Sequence, residues 1–225
     1  ILSCCTVPGK HKMRWYADWL RHQMQKLGVE RRLQTTVGFE QLKRFDAVIL
    51  ATGALFSKPD VPGIDLPLVT TFEDVLQCRT ERCEFYYTGK PAPASCGQTV
   101  LVWGDHFGGA DAAEKLAFEG KQVYVVTEAA EFAQWMEPCH RDVMFKRFAG
   151  GNGEGLKGNP YAHPVTVMPR TTVTQISPSG EITLLDHAFR KSTLQVENVV
   201  LSQLEPDASL YEELLAKGLR VVRIG

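Results

Sequence analysis

The stretch VLVWGDHFGGADAAEKLAFEGKQVYVV, residues 100–126, decides the fold of this chain. An apolar run at Val100–Trp103 predicts a buried strand, and the spacing of alanine and leucine predicts a helix over 108–119. A second apolar run at Val123–Val126 predicts the next strand. The order of strand, glycine-rich turn, helix and strand is that of a βαβ unit. It indicates an α/β fold with a Rossmann-like, doubly wound parallel sheet.

The turn GDHFGG has the form of a dinucleotide-binding loop with one substitution. In such loops the first glycine makes a tight turn, the second admits the pyrophosphate, and the third lets the helix pack on the sheet. Gly104 takes the first position and Gly109 the third, while His106 replaces the second. The His106 ring would block a diphosphate or donate a hydrogen bond to it. The predicted nucleotide-binding residues of this loop are Gly104, Asp105, His106, Phe107, Gly108 and Gly109.

The surroundings of the loop leave two hypotheses open. The start of the helix offers N–H groups and a positive dipole end to an anion, and the carboxylate of Asp105 opposes them. An acidic residue that binds the ribose is expected about 20 residues further on. Thr127 falls at that position and Glu128 follows it, which would favour NAD(H) over NADP(H). The alternative is that the unit has kept its packing and binds no nucleotide.

Outside the central stretch, periodicity predicts an antiparallel β-meander and a second group of elements. Ser177–Gly180 is predicted to form a tight hairpin between two strands of the meander. Further helices are predicted at 13–27, 39–43, 72–76, 138–148 and 210–216. Further strands are predicted at 29–37, 46–51, 171–176, 181–186, 192–196, 199–202 and 219–224. Segments rich in Pro and Gly predict loops at 59–67, 78–98 and 150–160.

Composition excludes several classes of protein. The chain has 225 residues, 44% of them hydrophobic, 23% charged, with a net charge of −1. This balance gives no reason to expect nucleic acid or a membrane as partner, and residues 1–8 do not read as a signal peptide. A cytoplasmic protein with reduced thiols is therefore expected. Cys78, Cys83 and Cys96 form the one group to weigh as a metal site, and because no fourth ligand lies near, no metal site is predicted.

Several motifs together resemble a known family. They are DAVILATGA at 46–54, VPGID at 61–65, TFEDVL at 71–76, AEKLA at 113–117 and GLRVVRIG at 218–225. Their order is similar to the nucleotide-binding part of the multidomain NADH:flavin oxidoreductases, which include trimethylamine dehydrogenase and bacterial 2,4-dienoyl-CoA reductase. The resemblance covers nearly the whole chain.

The resemblance implies a fold of the pyridine nucleotide-disulfide oxidoreductase type, truncated at both ends. Residues 1–58 and 203–225 would form a partial FAD- or ADP-binding domain, and 59–97 a linker or crossover. Residues 98–202 would form an inserted NAD(P)-binding-like domain. In this family a TIM barrel carrying FMN and a 4Fe–4S cluster precedes the region, so the remainder of a longer polypeptide is the expected partner.

The resemblance also implies binding residues in the first domain. Ala51, Thr52 and Gly53 match the segment that passes the flavin adenine nucleotide. Gly225 matches the start of a Gly-Asp pair that holds the flavin, and the Asp would lie beyond the chain. The isolated fragment is therefore expected not to retain FAD.

The function expected from these observations is that of a nucleotide-binding fragment of a flavin-dependent oxidoreductase. It would hold an adenine dinucleotide, NAD(H) or NADP(H), and assist hydride or electron transfer to or from flavin. No catalytic residue is predicted, because His140, His163 and His187 lack partners at useful spacing, and the fragment alone is expected to be inactive. The alternative is a scaffold that binds ADP or nothing and docks the barrel. Self-association into a homo-oligomer is left open.

Overall fold

The computed structural model describes residues 3–7, 10, 12–76, 96–150, 161 and 163–224. The chain divides into a larger unit, residues 1–20 with 58–203, and a smaller unit, residues 21–57 with 204–225. The assignment of these units to an inserted domain and a flavin-binding domain stays a prediction. The helices described are α1 (Met13–Lys26), α2 (Phe39–Leu42), α3 (Phe72–Leu76), α4 (Phe107–Phe118), α5 (Pro138–Phe148) and α6 (Ser209–Ala216). The strands are β1 (Val48–Leu50), β2 (Ala54–Phe56), β3 (Val69–Thr71), β4 (Thr99–Trp103), β5 (Gln122–Val126), β6 (Thr166–Met168), β7 (Thr171–Ile176), β8 (Glu181–Asp186), β9 (Lys191–Gln195), β10 (Asn198–Leu201), β11 (Leu204–Pro206) and β12 (Val221–Arg223).

A five-stranded parallel sheet forms the centre of the larger unit. Its strand order is β3-β10-β4-β5-β6, so the chain crosses from β3 to β4 over the position of β10. Val100–Trp103 and the last three residues of β10 are buried, as the continuous apolar runs predicted. Helix α4, which follows the glycine loop, is buried from Gly108 to Ala117.

The antiparallel meander of β7, β8 and β9 packs on the same core as the sheet. Its hairpin at Ser177–Gly180 is confirmed: Gly180 has a φ of +82°, and the amide of Ser177 donates to the carbonyl of Glu181 at 2.8 Å. Gly63, in the VPGID segment, approaches the meander so closely that an added Cβ would lie 2.8 Å from the carbonyl carbon of Ile176. The shared core comprises Leu101, Trp103, Val126, Val173, Ile176, Ile182, Leu184, Val196, Val199 and Leu201.

The smaller unit contains two short strand pairs. Strands β1 and β12 are parallel, and β2 and β11 are antiparallel. Val48 and Leu50 pack on Leu214 of α6, which forms a small apolar cluster. Ile49 and Val222 pair on the opposite face of β1 and β12, where both are exposed.

One predicted strand of this region is wrong. Residues 29–37 form turns and irregular backbone rather than a strand. Val29, Leu33 and Val37 would share one face of the predicted strand, yet all three are exposed. Alternation favours a strand only where a neighbouring strand accepts its hydrogen bonds and a core covers one face, and neither is present here among the described residues.

Candidate functional site

Gly104 makes the tight turn out of β4, as predicted for a first glycine. Its φ is +124°, a value that side chains with a Cβ rarely adopt. Its amide donates to the carbonyl of Val126 at 2.9 Å, which joins the turn to the end of β5. An added Cβ would lie 3.0 Å from the backbone of Ser202, so the turn also packs closely on the segment after β10.

Gly109 allows α4 to pack on the sheet, as predicted for a third glycine. A Cβ added to Gly109 would overlap the hydroxyl of Ser202 and lie 2.6 Å from its Cβ. Ser202 is fully buried, and its amide donates to the carbonyl of Trp103 at 2.8 Å. Gly104 therefore makes the tight turn, and Gly109 allows the close packing of helix on sheet, that a Rossmann-like fold requires.

His106 occupies the second glycine position and caps helix α4. Its Nδ1 accepts a hydrogen bond from the amide of Gly108 at 3.1 Å, and its carbonyl accepts from the amides of Gly109 and Ala110. Burial lowers the pKa of the imidazole, although Asp105 and Asp111 act in the opposite direction. The sequence suggested a ring that blocks a diphosphate or donates to it, whereas the ring observed here is an acceptor within the loop.

Phe72, the first residue of α3, was not singled out by the sequence. Its ring stacks on that of His106, with ring centroids 5.5 Å apart and planes 30° apart. A Cβ on Gly108 would overlap this ring and lie 2.6 Å from its Cγ. Phe72 is 36 positions before Gly108 in the chain and follows no recognisable spacing from it, so only the packing of α3 on α4 reveals the contact.

Asp105 connects the glycine loop to the segment that follows β5. Its Oδ1 accepts from the amide of Ala133 at 2.8 Å and from the indole Nε1 of Trp135 at 3.0 Å. The ring of Trp135 contacts that of Phe107, with centroids 3.7 Å apart. The negative charge that was expected to repel an anion is therefore engaged by two donors of residues 129–136.

The two predicted ribose-binding residues lie at the end of β5 and also have partners. Thr127 is buried, and its Oγ1 accepts from the amide of Ala129 at 3.1 Å. The carboxylate of Glu128 accepts from the hydroxyl of Thr172 at 2.7 Å, and Glu128 is exposed. Glu128 is therefore the acid that remains accessible at this strand end.

The remaining predicted residues belong to the smaller unit. Ala51, Thr52 and Gly53 follow β1, and Gly53 has a φ of +80°. The carbonyl of Gly53 accepts from the amide of Asp207 at 3.2 Å, and the hydroxyl of Thr52 donates to the carbonyl of Asp207 at 3.4 Å. Gly225 lies outside the described residues.

A buried group of charged side chains holds the helix that carries the loop. Asp111 pairs with Lys10, and burial raises the pKa of Asp111 while Lys10 opposes the rise. One carboxylate oxygen of Glu114 accepts from Arg147 at 3.0 Å and from the hydroxyl of Tyr161 at 3.4 Å. Two acids and two cations are thus balanced in this group, a requirement for charges that are taken out of water.

Other features of the described residues add no second site. No group of three or more His, Cys, Asp or Glu that could hold a metal ion is present in the part of the chain that the structure describes. Cys78 and Cys83 lie outside it, and burial raises the pKa of the Cys96 thiol. No described helix has the length and apolar character needed to span a bilayer.

The fold and the loop define a class of protein. A parallel sheet with a glycine turn at the carboxyl end of β4, followed by an antiparallel meander, is a Rossmann-like architecture. No known family model matches the chain.

Comparisons with individual proteins confirm the resemblance to the nucleotide-binding part of the NADH:flavin oxidoreductases. The chain is 28% identical over 224 residues to an NADH oxidase of Thermoanaerobacter brockii. The aligned region covers 97% of the chain and 31% of the oxidase. The structure is similar to that of 2-naphthoyl-CoA reductase, with a TM-score of 0.71 and 22% identity over 99% of the chain and 30% of that protein. It is also similar to histamine dehydrogenase from Rhizobium sp. 4-9, with a TM-score of 0.66 and 20% identity over 99% of the chain and 34% of that protein.

The matches cover only part of each relative. The chain spans about a third of the length of the relatives it matches. The predicted fold class, an α/β Rossmann-like parallel sheet with an antiparallel meander, is confirmed.

Proposed function

We propose that the chain is a dinucleotide-binding region of a flavin-dependent oxidoreductase and binds NAD(H) at the carboxyl ends of β4 and β5. The observation that carries the proposal is the βαβ unit in which Gly104 turns at a φ of +124° and Gly109 packs against Ser202. These two positions fit a dinucleotide, and the start of α4 would face its diphosphate. NADH, when bound, would supply a hydride.

Glu128 supports NAD(H) rather than NADP(H) as the ligand. An acid at the end of the second strand binds the ribose hydroxyls of NAD, and its charge repels the 2′-phosphate of NADP. Glu128 is exposed at that strand end, and its partner Thr172 is a neutral hydroxyl that a ribose can replace.

A second candidate function is a scaffold that binds ADP or no nucleotide and docks the rest of a longer enzyme. The observation that favours it is the closure of the loop by its own side chains. His106 takes the amide of Gly108, and Phe72 covers the same glycine. A diphosphate can enter only if these contacts are exchanged for contacts with the ligand.

The other cofactors of the proposal rest on the resemblance. FAD or ADP would lie beside Ala51, Thr52 and Gly53 in the smaller unit. Gly53 has a φ of +80° and no side chain, so a ligand could approach its backbone closely. FMN and a 4Fe–4S cluster would belong to the barrel of a longer polypeptide. The same polypeptide, and a homo-oligomer of it, are the proposed partners.

Titration of the purified chain with NADH, NADPH and ADP separates the two candidates. Saturable binding of NADH with weaker binding of NADPH supports a dinucleotide site. Binding of ADP alone, or of none of the three, supports the scaffold. Chemical-shift mapping locates the ligand, and shifts confined to residues other than 104–109, 127 and 128 would contradict the proposed position.

A further inference from the structure

The imidazole of His106 accepts a hydrogen bond at the point where the loop would bind an anion. The amide of Gly108 donates to Nδ1 at 3.1 Å. A ring nitrogen accepts only when it carries no proton, so this geometry assigns a neutral ring with its proton on Nε2. The hydrogen bond exists only in that protonation state.

The surroundings of the ring favour the neutral state. Phe72 stacks on one side, and the edge of Phe107 lies with its centroid 6.2 Å from that of His106. The charged groups that act on the ring are Asp105 in the same loop and Asp111 on α4, the latter paired with Lys10. Both carboxylates favour the cation, but burial outweighs them and lowers the pKa of His106.

The neutral ring and a diphosphate compete for one donor. In a loop of this kind the amides at the start of the helix are the groups that bind phosphate oxygens. The amide of Gly108 is one of these, and His106 already accepts its hydrogen. Protonation of Nδ1 removes the acceptor, releases the amide, and places a cation with two N–H donors beside it.

We propose that His106 is a proton-coupled latch of the glycine loop, closed when the ring is neutral and open to a diphosphate when the ring is protonated. The inference rests on the proposed function, because it concerns the same nucleotide site. It adds how that site is regulated: the proton and the dinucleotide bind cooperatively, and the residue at the second glycine position sets the affinity.

Linkage gives the direction of the pH dependence. In the free protein the pKa of His106 is lowered by burial. In the complex the adjacent diphosphate raises it, because an opposite charge favours the cation. Affinity therefore rises as the pH falls between the bound-state and the free-state pKa. The slope over that interval approaches about tenfold per pH unit for one proton.

The test measures binding of NAD⁺ to the full chain by calorimetry from about pH 8 to about pH 5.5, a range in which histidine titrates and the diphosphate does not. Two buffers of different ionisation enthalpy report the proton taken up. His106→Asn is the informative variant, because an asparagine oxygen caps a helix as well as the ring does but cannot titrate. His163→Asn is the matched control at an exposed histidine.

The expected result is that the wild type and His163→Asn bind more tightly with each fall in pH and take up a proton, whereas His106→Asn binds weakly with a flat profile. Saturable binding by the wild type with the same flat profile as His106→Asn would overturn the latch and leave the nucleotide site in place. Absence of saturable binding at every pH, in the wild type and both variants, would overturn the proposed function together with the latch.

Discussion

The hydroxyl of Ser202 lies where a Cβ on Gly109 would have to be, with the Cβ of Ser202 only 2.6 Å from that position. Helix α4 therefore presents no side chain of its own to Ser202, the residue after β10. This contact sets, by packing, how close the start of α4 lies to the sheet.

Gly109→Ala should destabilise the chain because the added methyl group has no room. Overpacking of this kind costs about 1–3 kcal/mol in the free energy of unfolding. Urea denaturation followed by circular dichroism measures the change. In the double variant Gly109→Ala/Ser202→Gly part of the loss should be recovered, and strictly additive effects of the two substitutions would contradict the contact.

Ser202→Ala should leave stability unchanged or raise it slightly. The Oγ of Ser202 is buried and has no hydrogen-bond partner among the described residues. Removing an unsatisfied buried hydroxyl removes its desolvation penalty, whereas removing a satisfied one costs about 1 kcal/mol. Urea denaturation of Ser202→Ala measures the change. A fall of about 1 kcal/mol or more in the free energy of unfolding would show that the hydroxyl has a hydrogen-bond partner.

Asp105→Ala should release residues 129–136 from the glycine loop. The carboxylate accepts from Ala133 and from the indole of Trp135, and hydrogen bonds to a charged acceptor are worth about 1.5–3 kcal/mol. We expect faster amide exchange at Ala133 and a red shift of the Trp135 emission. Asp142→Ala is the matched control. The Asp142–Lys146 pair is exposed, so its loss should cost less than about 0.5 kcal/mol in the free energy of unfolding.

Trp135→Phe identifies the part of the emission that belongs to Trp135. If Asp105→Ala changes neither that emission nor the exchange at Ala133, then the carboxylate does not hold this segment.

Glu114→Gln should destabilise far more than the equivalent change at an exposed glutamate. The Glu114 side chain is 1% exposed and neutralises Arg147, with Lys10 Nζ 3.8 Å from its second oxygen. Removing one charge from a buried group leaves its partners uncompensated and costs about 3–5 kcal/mol when the pair is fully buried. The cost here should be about 2 kcal/mol, because Arg147 is partly solvated.

Glu213→Gln is the control for this substitution. Glu213 pairs with Lys217 on an exposed surface, with side chains 48% and 46% exposed, so its loss should change stability by less than about 0.5 kcal/mol. Equal midpoints in urea for the two variants would show that the buried group contributes nothing specific.

Glu128→Gln should reduce the preference for NADH over NADPH. The acid at the end of β5 would repel a 2′-phosphate, and one unit of charge near a surface changes binding by about 1 kcal/mol, or about fivefold. The ratio of the two dissociation constants, measured at fixed ionic strength, reports the change. Thr172→Val is the control, because it removes the hydrogen-bond partner of Glu128 and keeps the charge of Glu128. If Thr172→Val changes the ratio of the two dissociation constants and Glu128→Gln does not, the charge of Glu128 does not set the preference.

Local patterns were sufficient to predict the fold and the outer positions of the loop. The buried strands β4 and β5, the helix between them and the two glycines all lie within residues 99–126, where periodicity and glycine chemistry act over short distances. The same reasoning failed at residues 29–37, because alternation does not reveal whether a partner strand exists.

The closure of the loop could not be predicted because each closing contact joins residues distant in sequence. Phe72 reaches Gly108 through the packing of α3 on α4, and Asp105 reaches Trp135 through the path of the chain after β5. For His106 the residue type was noticed, but whether its ring faces a ligand or the amide of Gly108 depends on its rotamer and tautomer. Composition and spacing do not encode either property.

The His106 cap of α4 implies a trade-off between the thermal stability of the nucleotide-free chain and its affinity for the proposed nucleotide. The amide of Gly108 donates to His106 in the structure, and in the proposed complex it would donate to the ligand instead. Substitutions at position 106 that strengthen the cap should therefore raise the melting temperature of the nucleotide-free chain and weaken the proposed binding, and substitutions there that weaken the cap should do the reverse. A melting screen of variants at position 106, run without nucleotide, would therefore favour the variants in which the proposed ligand binds more weakly.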